Sequence, residues 1–259
     1  NISSGVGPFA IMQGLVQPVE PITVVRIFNT NTGKVIEAKV PVKNGEVVTF
    51  GDYEIAGVPG SGAPIMLNFP NSAGSKTGKL LPTGNVVDEI VLKDGRKVPV
   101  SLVDAANPAV FVKAADLGFS GTELPADTER NPKIIEMLED VRTSGAVLMG
   151  LAASKDKVGK AVPKVAMVAA ATDYAIGDGI CIKSDSVDLV ARTLALDVMH
   201  KTYAVTGGIC LGTAALIEGT VVNELVSSQA KLTGNIRIGH PSGVLEIVVD
   251  IAKANDGSW

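Results

Sequence analysis

Two stretches of this chain are versions of one another, and that constrains its fold more than any other feature. "AIMQGLV" (Ala10–Val16) aligns with "ALIEGTV" (Ala215–Val221): Ala, two apolar residues, an amide or acid, Gly, one mismatch, then Val. Upstream in the same register Gly7 falls on Gly212 and Asn1 on Thr206. Downstream, after a loop indel, "RIFNTNTGKVIE" (Arg26–Glu37) resembles "RIGHPSGVLE" (Arg237–Glu246). Each copy reads as a Gly-rich helix start, an apolar helix, a strand carrying Arg-Ile, a turn and a returning strand. The shared order of elements points to an internal duplication. In the second copy, strands from about Val98 lead up to Thr206, and no matching stretch precedes Asn1 in this sequence. The first copy is therefore expected to be incomplete, its helix short of covering strands and its apolar surface exposed.

Most of the rest reads as short strands rich in Val and Ile, punctuated by Gly, Pro and Asn. The expected strands are 22–28, 35–42, 46–50, 63–69, 86–92, 98–103, 109–113, 164–170, 179–183, 235–239 and 243–252. Two further helices are expected. One covers 132–143, with Asn131 as N-cap, Pro132 in the first turn and Gly145 as the stop. The other covers 187–200, after Asp185 and Ser186. The expected fold class is α+β, with two pseudo-symmetric domains expected at residues 1–96 and 97–259.

Composition narrows the function. The chain has 259 residues, 46% hydrophobic and 19% charged, with a formal net charge of −4. No basic stripe suggests nucleic acid, and no apolar run approaches the ~18 residues of a membrane helix. The two cysteines, Cys181 and Cys210, make no disulfide framework, so a cytoplasmic location is expected and both read as small buried hydrophobes. With only His200 and His240 beside them, no metal-ligand spacing appears.

Three motifs invite chemistry. Each Gly-rich helix start offers several unpaired backbone N–H groups and the positive end of a helix dipole, a combination that binds carboxylate or phosphate. These are Asn1-Ile2-Ser3-Ser4-Gly5 and Thr206-Gly207-Gly208. "GSKTGKLLPTG" (Gly74–Gly84) looks like a phosphate loop but fails, because Ala73 holds the first glycine position and Leu80 stands where Ser or Thr should follow Gly78-Lys79. "DAANPAVFV" (Asp104–Val112) sets Asn-Pro directly before a strand, either a plain turn or an amide presented at the strand edge.

Taken together, "NISSGVGPFAI", "TGKLLPTGN", "NPAVFV", "VPKVAMV", "HKTYAVTGGIC", "ALIEGT" and "GHPSGVLE" resemble the methylaconitate isomerase and methylitaconate Δ-isomerase family, within the diaminopimelate-epimerase-like fold. The resemblance implies two domains, each a strand barrel or roll around a central helix, with an active site between them. It implies no cofactor and no metal, and a proton shift that moves a double bond on a small unsaturated di- or tricarboxylate. Candidates are 2-methylaconitate, 3-methylitaconate and, for a tautomerase, oxalomesaconate. It also implies a catalytic Cys two residues before Asn1 and a lysine further upstream, so the chain as it stands is expected to lack turnover. Where racemising members carry a second Cys, this chain has Val205 before Thr206, and the Asn-Pro-His of epimerases is Asn107-Pro108-Ala109. Asn1, Asn107, Thr206, Gly207 and Gly208 map onto ligand-contacting positions.

From the residues themselves, Lys164 at a strand start would hold a carboxylate, Arg192 would supply a bidentate clamp, and His200 would orient a ligand or handle a proton. The corresponding bland readings are a solvated edge residue, a helix-surface charge and a core histidine. Expected partners are the small carboxylate, a second copy in a homodimer and, functionally, an aconitase-like dehydratase. A competing class is a non-catalytic accessory protein for that dehydratase.

Overall fold

The computed structural model describes residues 2–253; Asn1 lies outside them. The chain divides into two compact units, Asn1–Ser72 and Ala73–Trp259.

In the first unit, helix α1 (Ile2–Met12) is followed by strands β1 (Ile22–Asn29), β2 (Lys34–Lys43) and β3 (Glu46–Val47). A small ladder of β4 (Tyr53–Glu54) and β5 (Ser61–Gly62) comes next, then β6 (Met66–Asn68). β1, β2 and β3 pair in that order, and β6 joins β2. Ala10 and Ile11 of α1 pack on Val25, Ala38, Val40 and Val42. The other side of α1 is bare, with Ile2, Phe9 and Met12 all exposed.

The second unit opens with β7 (Asp88–Val91), β8 (Lys97–Ala105) and β9 (Asn107–Lys113). Helices α2 (Ala114–Leu117), α3 (Pro125–Arg130) and α4 (Lys133–Leu148) follow, then β10 (Lys164–Ala170), β11 (Tyr174–Ala175), β12 (Cys181–Ile182), β13 (Leu189–Ala195) and β14 (Val198–Met199). It closes with α5 (Val205–Leu216), α6 (Ser228–Thr233), β15 (Asn235–His240) and β16 (Gly243–Val248). One sheet runs β16-β15-β13-β10-β9-β8-β7, with β14 on β13. The expected boundary at 96/97 falls at the turn of the β7–β8 hairpin, inside this unit.

Alternation along the strands sorts side chains onto two faces. Val103, Ala105, Ala109, Phe111, Ala166, Val168, Leu189, Ala191, Ile236 and Ile238 form one core with α5. Val100, Leu102, Val110, Val112, Val165, Met167 and Leu194 form another, with Ile134, Leu138 and Val141 of α4. The sheet curls around α5, which meets β8 and β9 on one side and β15 and β16 on the other. The end strands β7 and β16 do not pair with each other, so of the expected barrel or roll this unit is the open roll.

The duplication is visible in atomic detail. Arg26 stands opposite Glu37 in the β1–β2 ladder, as Arg237 stands opposite Glu246 in β15–β16. A Cβ on Gly7 would lie 2.9 Å from Ala38 Cβ, 2.9 Å from Val40 Cγ2 and 3.9 Å from Val25 Cβ. A Cβ on Gly212 would lie 2.7 Å from Val249 Cγ2, 3.6 Å from Ile247 Cγ2 and 3.8 Å from Ile236 Cγ1. In the repeat register Val40 aligns with Val249, Ala38 with Ile247 and Val25 with Ile236. Both copies thus press a side-chain-free helix position onto the same strand positions. The glycines that follow the two helices, Gly14 and Gly219, also agree, with φ of 69° and 86°.

Two expected helix features are corrected. Residues 187–200 are not helical: β13 runs antiparallel to β10 and parallel to β15, and turns through Leu196 and Asp197 (φ 52° and 66°) into β14. A strand buried on both faces lacks apolar/polar alternation, so its pattern is not diagnostic, and two consecutive positive φ values are those of a tight hairpin turn. Gly145 does not stop α4; it sits inside the helix, where a Cβ would lie 2.5 Å from Val110 Cγ2. It allows close approach to β9.

Gly212→Ala should destabilise the chain by about 1–3 kcal/mol through overpacking, read from urea denaturation. Adding Val249→Ala should recover part of that loss; equal stability of the single and double variants would contradict the contact.

Candidate functional site

The N-terminus of α5 is the natural place to look for chemistry. Its N-cap, Ala204, has no side chain that can accept a hydrogen bond. The first intrahelical bond recorded at this end is Gly208 N–H to Ala204 O at 2.8 Å. The N–H groups of Val205, Thr206 and Gly207 precede it at the positive end of the helix dipole. Thr206 and Gly207 are partly exposed and Gly208 is buried. A Cβ on Gly208 would meet Leu245 and Ile247 of β16 at 3.0 Å, and one on Gly207 would meet the buried ring of Tyr203 at 3.3 Å.

The sheet brings several polar residues to this end. Cys210, in the second turn of α5, donates its S–H to Val103 O at 3.3 Å, which sets the start of α5 beside the end of β8. The β8–β9 turn follows, through Ala106 at φ 59°, into Asn107. Lys164 opens β10 and stands beside Ala109 in parallel register. By alternation Asn107 shares a face with Ala109 and Phe111, and Lys164 with Ala166 and Val168, the face of α5. His200 follows β14, and its N–H donates to Thr193 O at 2.9 Å. Asn107, Lys164, His200 and the Thr206-Gly207-Gly208 turn therefore gather at one end of the roll. Burial, then the charge of Arg142, lowers the pKa of the Lys164 ammonium.

Arg192 does not join them. It lies in β13 and alternates with Ala191, so it faces away from α5 with Val190 and Leu194. It is fully buried. Its Nε donates to Glu123 O at 2.6 Å, and its Nη1 to Ala191 O at 2.9 Å and Gly239 O at 3.2 Å. The guanidinium lies 5.2 Å from the centre of the Tyr174 ring. Burial pulls its pKa down to about 10, against the opposing pull of Tyr174 and Glu123. This is neither a helix-surface charge nor a clamp at the α5 start; it straps a loop and β15 to the sheet. Asn1, the remaining expected ligand contact, lies outside the described residues.

Two groups escape a reading of the sequence alone. Asp104, buried at the end of β8, accepts hydrogen bonds from Ser75 N (3.0 Å), Ser75 Oγ (2.5 Å), Lys76 N (2.8 Å), Thr77 N (2.7 Å) and Thr77 Oγ1 (2.8 Å). The loop that resembles a phosphate cradle is indeed an anion nest, and its anion is this carboxylate. The second group is His240, at the tip of the β15–β16 hairpin; its His-Pro-Ser matches the His-Lys-Thr at His200, a likeness legible in the sequence.

The two thiols differ. Cys181 is exposed. Cys210 is buried, and burial pushes its pKa up to about 12, with hydrogen bonds from the Ala105 and Ala109 backbone opposing and Asp104 adding. Among the described residues no group of three or more His, Cys, Asp or Glu could hold a metal, and no helix is long and apolar enough to cross a membrane.

Asp104→Asn should cost at least about 3 kcal/mol, since an amide leaves several of the five donors without an acceptor. Urea denaturation and faster hydrogen exchange at Lys76 and Thr77 would register it; unchanged exchange would contradict the nest. A thiol reagent at pH 8 should modify one cysteine in the native chain, Cys181, and two after unfolding. Native modification of Cys210 would contradict its burial.

The chain is similar in sequence and fold to known proteins. The family described as PrpF protein matches residues 1–258. The 3-methylitaconate isomerase of Eubacterium barkeri is 44% identical over 252 residues, 96% of this chain and 66% of that protein. The 2-methyl-aconitate isomerase of Cupriavidus necator is 37% identical over 268 residues, 100% of this chain and 67% of that protein. A crystal structure of methylitaconate-delta-isomerase superposes with a TM-score of 0.89 at 42% identity, covering 100% of this chain and 67% of that one. The chain thus spans about two thirds of the length of these relatives. Its fold is α+β of the diaminopimelate-epimerase-like kind, and on this sequence and this architecture the chain belongs to the PrpF family.

Proposed function

We propose that the protein is an isomerase that moves a proton, and with it a double bond, on a small unsaturated di- or tricarboxylate such as 3-methylitaconate or 2-methylaconitate. The observation that carries this reading is the uncapped start of α5 at the same sheet end and on the same face as Asn107 and Lys164. An allylic proton beside a carboxylate is a weak acid. Removing it places negative charge on the carboxylate oxygens. Amide donors at a helix N-terminus and a nearby ammonium stabilise that charge without rearranging during the reaction. The half-buried Lys164 suits a carboxylate because a ligand anion offsets the cost of its desolvation. Asn107 offers an amide to the same ligand. His200 is taken as the residue that orients the ligand or handles its proton. The names of the relatives support the substrate class. Oxalomesaconate-type acids share the same carboxylate chemistry and are the third substrate to try.

Cys210 plays no part in proton transfer in this reading, because burial holds it as a thiol. The base is taken to be the Cys of a Cys-Gly pair ahead of Asn1, as the resemblance implies. Deuterium exchange tests this. Each acid is incubated in D2O with the 259-residue chain and with the chain carrying a Cys-Gly-bearing segment ahead of Asn1. Proton NMR should show allylic exchange with at least one acid for the extended chain, and binding without exchange for the shorter one. Binding without exchange by both would favour the accessory-protein reading; full exchange by the 259-residue chain would refute the upstream base.

A further inference from the structure

The two histidines close two turns built alike. Ser242 N–H donates to His240 Nδ1 at 3.2 Å, and Thr202 N–H donates to His200 Nδ1 at 3.1 Å. Ser242 Oγ donates to Lys201 O at 2.6 Å and binds one turn to the other. The rings then differ. His200 Nδ1 also stands 2.9 Å from Thr202 O, so its surroundings serve either tautomer. The Nδ1 of His240 has only the Ser242 donor among the described residues, so the ring proton belongs on Nε2.

His240 is 2% exposed. It follows Ile236 and Ile238 in alternation, which turns it onto the face of α5. The hairpin tip it occupies lies just beyond Leu245 and Ile247, the residues against which Gly208 packs. With Nδ1 committed to the tip, Nε2 faces the other way, and no partner for it is recorded among the described residues.

We propose that His240 is a ligand-binding residue whose Nε2–H donates a hydrogen bond to a carboxylate oxygen seated at the N-terminus of α5. This rests on the carboxylate reading given above and assigns that site a donor of its own. A neutral donor suits the task, because it fixes one oxygen without placing a second full charge beside Lys164. The protein holds the ring neutral: burial first, then Arg192 of β13, then His200, lower its pKa to about 4. Tyr174 of β11 also lies close by and donates to Gly243 O at 2.6 Å. A bound carboxylate opposes those effects, so ligand binding and protonation of His240 are coupled.

The test uses the 259-residue chain with 15N-labelled histidine and amides, and itaconate as the probe. The expected result is joint movement of the Thr206 and Gly207 amides and of His240 Nε2, with the His240 titration midpoint rising by about one pH unit or more as the anion stabilises the imidazolium. If the α5 amides respond and His240 does not, the inference falls while the carboxylate reading stands. If neither responds, both fall. His240→Ala should weaken itaconate binding about tenfold or more, the cost of one charge-assisted hydrogen bond. His240→Gln, which keeps an N–H in place of Nε2–H, should recover most of it. Equal losses in both would mark a structural role and overturn the proposal. Should either variant fail to fold, the NMR titration of the unmodified chain decides.

Discussion

A helix can run inside a curled sheet only if its backbone comes close enough for the strands to wrap it, and here that closeness depends on glycine. Gly208 and Gly212 lie one turn apart on α5; a methyl group on the first would press into β16 and one on the second into Val249, just beyond it. Without them the helix would ride higher, and the strands that reach it from the other side could not. Cys210, on another side of the same turns, reaches the end of β8. The position of the α5 start relative to Asn107 and Lys164 is therefore set by side chains that are absent. The copy around α1 makes the same approach at Gly7, against the aligned residues. What differs is cover: in α5 every residue from Cys210 to Ala215 is buried, whereas Phe9 and Met12 of α1 are exposed.

Two nests of backbone amides in the second unit have opposite fates. The loop at residues 75–77 directs its N–H groups at Asp104, an anion the chain supplies itself, and so becomes a fixed part of the sheet end. The first turn of α5 receives no side-chain acceptor from its N-cap. One set of amide donors is thus satisfied by the chain's own carboxylate, and the other receives no side-chain cap from Ala204. The deciding factor is whether a buried carboxylate lies within reach.

Much of this was legible in the residues. The duplication and the strand at Lys164–Ala170 follow from glycine spacing, a shared motif order and Val-rich composition, whereas the ligand-contacting roles of Asn107 and Thr206 were implied only by the family resemblance. The failures have physical causes. Residues 187–194 are buried on both faces because β13 is a central strand, so they lack the apolar/polar alternation that tells a strand from a helix. Gly145 reads as a stop but serves as a contact, since sequence does not say whether a glycine is wanted for its dihedral freedom or its missing side chain. Arg192 failed with its helix: once β13 is a strand, alternation carries the guanidinium to the far face. Asp104 was hidden because its partners lie some thirty residues away, a distance that only the tertiary fold closes.

The open first turn of α5 also bears on how the protein behaves when empty. Backbone amides without acceptors are held only by water, and a helix end in that condition frays more readily than its middle. The N–H groups at this helix end are the ones to which the proposed carboxylate would bind. On the proposed reading, a bound carboxylate would accept from those N–H groups and stand in for the side-chain cap that Ala204 lacks.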